Sequence, residues 1–60
     1  MNFILNIYKK DTRTKSGKRL CDSLEYENSN KEEMLKEVEK INSLYPRDKG
    51  YFVDIIVTNE

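Results

Sequence analysis

Few side chains in this sequence belong to the types that carry out catalysis. The chain has no histidine, and its single thiol is Cys21. No serine lies in a G-x-S-x-G nucleophile motif, and Gly17 and Gly50, the two glycines, are too few for a phosphate-binding loop. General acid–base and nucleophilic catalysis both need positioned, activated groups. The sequence therefore predicts a protein that is not an enzyme and that binds no cofactor.

The lone cysteine also limits other chemistry. One cysteine without histidine cannot complete a zinc site or form an internal disulfide, so no metal site is predicted. Arg19 lies near Cys21 and makes it a candidate redox thiol, but an ordinary strand residue is the simpler interpretation. Such sparse use of cysteine suits a reducing compartment.

Positive charge is the most distinctive feature of the sequence, and it is concentrated between residues 9 and 19. Residues 1–19 hold six basic side chains and one acidic side chain, a balance of +5, whereas residues 20–60 hold five basic and ten acidic side chains, a balance of −5. The six basic residues are Lys9, Lys10, Arg13, Lys15, Lys18 and Arg19.

Three interpretations of this basic segment are open. It is a solvated hairpin loop, a charged finger that enters an acidic cleft of a protein partner, or a phosphate-contacting element of a nucleic-acid-binding protein. Tyr8 is the nearby aromatic residue that would stack on a base. The acidic remainder of the chain disfavours nucleic acid, because proteins that bind nucleic acids are usually basic overall.

Alternating apolar residues predict two strands before a helix and one strand after it. Residues 3–8 are apolar on most of both faces, which favours a central strand. Residues 19–27 form a second strand, in which Asp22 interrupts the apolar face and predicts an edge strand with a bulge or an exposed start. Residues 51–57 form the third strand. The interrupted apolar face consists of Leu20, Leu24 and Tyr26.

Residues 30–44 predict an amphipathic helix. Ser29 and Glu32 match the capping-box pattern, and Pro46 disfavours helical geometry at the preceding residue. The apolar stripe comprises Met34, Val38, Ile41 and Tyr45, flanked by Leu35 and Leu44. The carboxylates that we expect on the solvent side are Glu32, Glu33, Glu37 and Glu39.

The order β-β-α-β predicts one α+β domain over residues 1–60. Its expected architecture is a three-stranded antiparallel sheet in the order 2-1-3, with the helix on one face and residues 9–19 as a basic hairpin loop. The uncovered sheet face is a candidate interface for a partner or for a second copy, as a homodimer or higher oligomer. Its apolar residues are Ile4, Tyr8, Phe52 and Ile56.

Length and hydropathy place the chain among small cytoplasmic proteins. Its longest apolar runs, at residues 3–5 and 55–57, are far short of the ~20 residues that span a bilayer. Residues 1–10 lack the long apolar stretch of a signal peptide, so we expect neither secretion nor membrane insertion.

The opening of the chain resembles that of small accessory proteins encoded by tailed phages. Residues 3–20 read FILNIYKKDTRTKSGKRL, and an acidic helix and a Tyr-Pro…Gly-Tyr turn at residues 45–51 follow. The resemblance implies a host-takeover or anti-defence role in the host cytoplasm. It transfers no functional residues to this chain.

These observations favour a non-enzymatic protein-binding module. We expect it to be a phage-encoded inhibitor or modulator of a host defence protein. The ten candidate partner-binding residues are the six cations of the basic segment and the four apolar residues of the open sheet face. A nucleic-acid-binding accessory protein that uses Lys9 to Arg19 is the first alternative, and a small structural homo-oligomer is the second.

Overall fold

A computed structural model describes residues 1–58 and confirms the predicted α+β fold. Three strands form one antiparallel sheet in the order β2-β1-β3, and the helix packs on one face of it. The elements are β1 (Asn2–Lys10), β2 (Lys18–Tyr26), α1 (Lys31–Leu44), a short 3₁₀ turn (Arg47–Lys49) and β3 (Tyr51–Thr58). No helix within residues 1–58 is long and apolar enough to cross a membrane.

The core is built on the helix-facing side of β1. Phe3, Leu5 and Ile7 are at most 1% exposed, and Ile41 of α1 closes over them. Burying each of these side chains fully stabilises the fold by roughly 1.5–3 kcal/mol, which is substantial for a chain of this size. Three of the four buried core side chains therefore belong to β1, which occupies the central position that its apolar character predicted.

The helix begins one residue later than the capping-box pattern indicated. Asn30 is the N-cap residue, and its side-chain oxygen accepts a hydrogen bond from the Glu33 N–H at 2.8 Å. The prediction that Ser29 caps the helix was wrong, because the Ser29 backbone pairs with the chain start instead. Its N–H donates to the Met1 carbonyl at 2.9 Å, and its carbonyl accepts from the Met1 amino group at 2.8 Å. The helix start is thus fixed beside the first residues of β1.

The helix ends at Leu44, and Tyr45 is its C-cap residue directly before Pro46, which agrees with the predicted effect of the proline. A 3₁₀ turn then leads to Gly50, whose φ of 90° lies in the left-handed region that glycine adopts without strain. The Tyr45 ring meets the Tyr51 ring edge-on, with 5.2 Å between the ring centroids. This contact fixes the end of the helix against the start of β3.

A β-bulge in β2 corrects the predicted faces of that strand. Ile7 pairs with Asp22 and Tyr8 pairs with Leu20, so Cys21 is an extra residue between two pairs. Beyond the bulge, Leu20 lies on the same face as Tyr8, away from the helix, and it is 52% exposed. The prediction that Leu20 shares a face with Leu24 was therefore wrong.

The helix crosses the sheet diagonally. The first half of the helix reaches β2 at Glu37, where the Tyr26 hydroxyl lies 3.4 Å from a Glu37 carboxylate oxygen. Near its end it lies over β3, where Tyr51 and Val53 pack against the core. A diagonal helix leaves two opposite corners of the helix-facing sheet surface uncovered, one on each edge strand.

The same crossing changes the expected surroundings of three helix residues. Glu37 is half-buried beside β2 and does not lie on the open solvent side. Leu35 and Leu44, expected beside the apolar stripe, are 54% and 63% exposed. They lie on the flanks of the stripe, where the narrow sheet does not reach them.

Candidate functional site

The turn between β1 and β2 spans residues 11–17 and is organised around Asp11. The Asp11 carbonyl accepts hydrogen bonds from the N–H and the hydroxyl of Thr14, at 3.2 and 3.0 Å. The Thr14 hydroxyl also lies 3.0 Å from the Lys18 carbonyl, and the Asp11 N–H donates to the Gly17 carbonyl at 2.9 Å. The loop is shorter than the predicted segment 9–19, because Lys9, Lys10, Lys18 and Arg19 belong to the strands.

Asp11 also fixes the orientation of the Arg13 side chain. Its carboxylate accepts hydrogen bonds from the Arg13 backbone N–H at 3.0 Å and from the Arg13 guanidinium at 3.1 Å. These hydrogen bonds to Arg13, the side-chain bond first, hold the pKa of the Asp11 carboxyl below its usual value. The single acid of the basic segment therefore orders the loop as a carboxylate.

Five cations surround a shallow pocket of about 480 Å³ at this end of the molecule, which we call the basic pocket. Asp11, Thr12 and Gly50 complete its wall. The cations are Lys9, Lys10, Arg13, Arg19 and Lys49.

Strand pairing explains how the basic pocket is assembled. Lys9 lies opposite Arg19 on one side and opposite Tyr51 on the other. The Lys10 N–H donates to the Gly50 carbonyl at 2.8 Å, which places Lys49 beside the end of β1. Sequence analysis did not identify Lys49, because it lies far along the chain in the turn before β3. The predicted pairing of β1 with β3 could have identified Lys49, because this pairing brings residues 49 and 50 to the hairpin end of β1.

Lys18 is separated from the other cations and lies on the open sheet face. Its ammonium group lies 4.5 Å from the centroid of the Tyr8 ring and 3.8 Å from an Asp54 carboxylate oxygen. A cation over an aromatic face is attracted by the ring quadrupole. The Lys18 side chain therefore covers part of the sheet face that the sequence predicted to be open to solvent. Lys15 is exposed in the loop.

The four apolar residues predicted for the open sheet face do lie together there. Ile4 pairs with Ile56 and Tyr8 pairs with Phe52, and the bulge adds Leu20 opposite Tyr8. Ile56 is 44% exposed, whereas the other three predicted residues are half-buried. The open sheet face is thus a small apolar surface with one ion pair across it.

The remaining chemical candidate is Cys21. Its side chain is exposed at the bulge, and its sulfur lies 3.8 Å from the Arg19 carbonyl. Within residues 1–58 no three acidic, cysteine or histidine side chains lie close enough together to hold a metal ion.

Charge is separated along the length of the protein, whose longest dimension is 37 Å. The basic pocket lies at the hairpin end of β1. The opposite end, where Ser29 meets Met1, carries Glu32 and Glu33 in the first turn of α1. A body with opposite charges at its two ends has a preferred orientation toward a charged partner.

Comparison of the chain with protein-family models, with curated proteins and with solved structures found no match.

Proposed function

We propose that this protein is a non-enzymatic binding module whose basic pocket contacts an acidic segment of a partner protein. The observation that carries this proposal is the convergence of five cations from β1, β2 and the turn before β3 around one pocket. Charged groups arranged in this way speed association and fix the orientation of the complex.

The loop geometry supports binding by a preformed surface. The hydrogen bonds of Asp11 and Thr14 hold the hairpin turn in one conformation, so less conformational entropy is lost when a partner binds. The Lys9 ammonium lies 5.3 Å from the centroid of the Tyr51 ring, which directs it toward the pocket end of the sheet. The resemblance to tailed-phage accessory proteins points to a host protein as the target, with inhibition or modulation as the outcome.

Nucleic acid is the second candidate ligand, favoured by the same cluster of cations. A polyanion approaching the pocket also meets the acidic remainder of the chain, which balances the total charge to zero. Long-range attraction is therefore weak. We expect an acidic protein segment to be preferred, because it needs only the small area of the pocket.

Matched charge variants test the proposal. The pocket variant changes Lys10, Arg19 and Lys49 to glutamine, and the control variant changes Lys31, Lys36 and Lys40 to glutamine. All six side chains are exposed, and both variants lose the same charge. The partner is first identified by capture from host lysate and mass spectrometry, and its affinity for each variant is then measured by calorimetry.

We expect the pocket variant to bind the captured partner at least about tenfold more weakly, which corresponds to roughly 1.4 kcal/mol, and the control variant to bind normally. Equal weakening by both variants would indicate general electrostatics and contradict the proposal. Salt-steep binding of the unmodified protein to random DNA or RNA at physiological ionic strength would favour the nucleic-acid alternative, because released counterions make phosphate binding strongly salt-dependent.

A further inference from the structure

The outer edge of β3 has no strand paired with it within residues 1–58. The direction of its backbone groups follows from the ladder. Lys10 and Gly50 are joined by a hydrogen bond at 2.8 Å, and the pairing alternates along an antiparallel ladder. Phe52, Asp54 and Ile56 therefore bond to β1. Between Phe52 and Val57, the N–H and C=O groups that point outward belong to Val53, Ile55 and Val57.

The side chains of those outward-bonding residues are apolar and face the helix side of the sheet. Ile55 and Val57 are 44% and 47% exposed, because they occupy the corner that the diagonal helix leaves open. Leu35 lies two turns before Asn42 on the same side of α1, and Asn42 and Ile55 line a groove of about 420 Å³ between helix and strand. Leu35 is 54% exposed, and its spacing from Asn42 places it on the flank of α1 that faces this corner.

The edge of β3 has none of the features that protect an edge strand. Its sequence, YFVDIIVT, contains one charge, no proline and no bulge. That charge, Asp54, points to the open sheet face, where it lies 3.8 Å from the Lys18 ammonium. A long apolar edge of this kind is a template for another strand.

We propose that β3 pairs with β3 of a second copy, antiparallel and centred on Ile55, to form a continuous six-stranded sheet. In this register Ile55 faces Ile55 of the second copy, Val53 faces its Val57, and Val57 faces its Val53. Each of these three pairs exchanges two backbone hydrogen bonds, and together they bring apolar side chains into contact on the helix side. On the other face Asp54 lies opposite Ile56, so no like charges meet. Centring on Asp54 would place two carboxylates opposite each other.

Charge supports a second copy as the occupant. Antiparallel pairing places the basic end of each copy beside the acidic helix start of the other, because these features lie at opposite ends of the sheet. The chain has 11 basic and 11 acidic residues, so two copies meet without net repulsion. The outer edges of the assembled sheet are then both β2, whose bulge and charged residues disfavour further addition. Assembly therefore stops at two copies.

Sedimentation velocity on the full chain tests the dimer. We expect a reversible monomer–dimer equilibrium. Ile55→Lys places two ammonium groups opposite each other at the centre of the proposed interface, and Ile55→Glu does the same with two carboxylates. Each variant alone should associate at least about tenfold more weakly, whereas an equimolar mixture should recover association, because lysine then faces glutamate.

Ile56→Lys is the matched control, because Ile56 is the next residue, is equally exposed at 44% and points to the opposite face. In the proposed register the new lysine faces Asp54 of the second copy, so this variant should keep or tighten the dimer, and circular dichroism checks that every variant is folded. A protein that stays monomeric at its solubility limit would overturn the proposal. Assembly that grows beyond two copies would also contradict it. A dimer that is lost in Ile56→Lys but retained in Ile55→Lys would contradict it as well, because that result would assign the interface to the open sheet face.

Discussion

The two edge strands of this sheet, β2 and β3, differ in the regularity and the charge of their solvent-exposed edges. The β2 edge is interrupted by the bulge at Cys21 and carries charged residues along its length. The β3 edge is regular and apolar apart from Asp54. The diagonal helix increases this difference, because the corner that it leaves open on β2 is polar at Asp22, whereas the corner on β3 contains Ile55 and Val57. Two strands paired to the same central strand thus differ in whether they can accept another strand.

The largest expected effect comes from the strand that both edges share. Leu5 is completely buried in β1 and pairs with Leu24 on one side and Ile55 on the other. Leu5→Ala should lower the free energy of unfolding by about 2–5 kcal/mol, enough to unfold much of so small a domain and to abolish both edges together. Leu20→Ala, at a position 52% exposed, should change it by less than about 0.5 kcal/mol. Urea titration followed by circular dichroism measures both, and equal effects would show that β1 does not dominate the core.

Proline substitutions would show which backbone groups of β3 face outward. Ile56→Pro removes an N–H that bonds to β1, whereas Ile55→Pro removes one that points to the open edge. We expect Ile56→Pro to be more destabilising than Ile55→Pro by about 1–3 kcal/mol, the cost of a lost bond and an unpaired acceptor. The equal exposure of the two side chains, 44% each, makes them a matched pair in urea titration. The reverse order of stabilities would mean that the edge assignment is wrong.

The smallest effect concerns the titratable contact between helix and sheet on the β2 side. Burial, and then the neighbouring Glu37 carboxylate, raise the pKa of the Tyr26 hydroxyl above its usual value of 10.0. The folded protein therefore holds the Tyr26 hydroxyl proton more tightly than the unfolded chain does. The contribution of this hydroxyl to the free energy of unfolding is complete below pH 10 and is lost as the pH rises through the folded pKa.

The free energy of unfolding, measured in urea across alkaline pH, should therefore fall less steeply for Tyr26→Phe than for the unmodified protein. Glu37→Gln should give an intermediate slope, because burial of the hydroxyl remains. Identical slopes for all three proteins would contradict the contact between Tyr26 and Glu37.

Local sequence patterns were sufficient to predict the fold. The two-faced apolar pattern of residues 3–8 predicted a central strand, and the helix stripe predicted Ile41 as a core residue. Asp22 indicated an edge strand with a bulge or an exposed start, because a charged side chain breaks the alternation of a regular strand, and the structure has the bulge. The helix start was displaced by one residue, since Ser29 and Asn30 are both good N-cap residues and local pattern does not distinguish them.

The candidate site was only partly predictable. Four of the six predicted cations line the basic pocket, but Lys18 crosses the open sheet face to Asp54, and Lys49 was not identified. Side-chain reach and the pairing of β1 with β3 decide these positions, and neither is a local property of the sequence.

By itself, the sequence determined the elements, their order in the sheet and the division of charge between the two parts of the chain. Periodicity and composition are enough for this, because each strand and helix is specified by the side chains within it. The tertiary structure decided which apolar residues stay exposed. Ile55 and Val57 belong to the helix-facing alternation of β3, yet the diagonal crossing of a single helix leaves them uncovered, since one helix is too narrow to cover three strands at both ends.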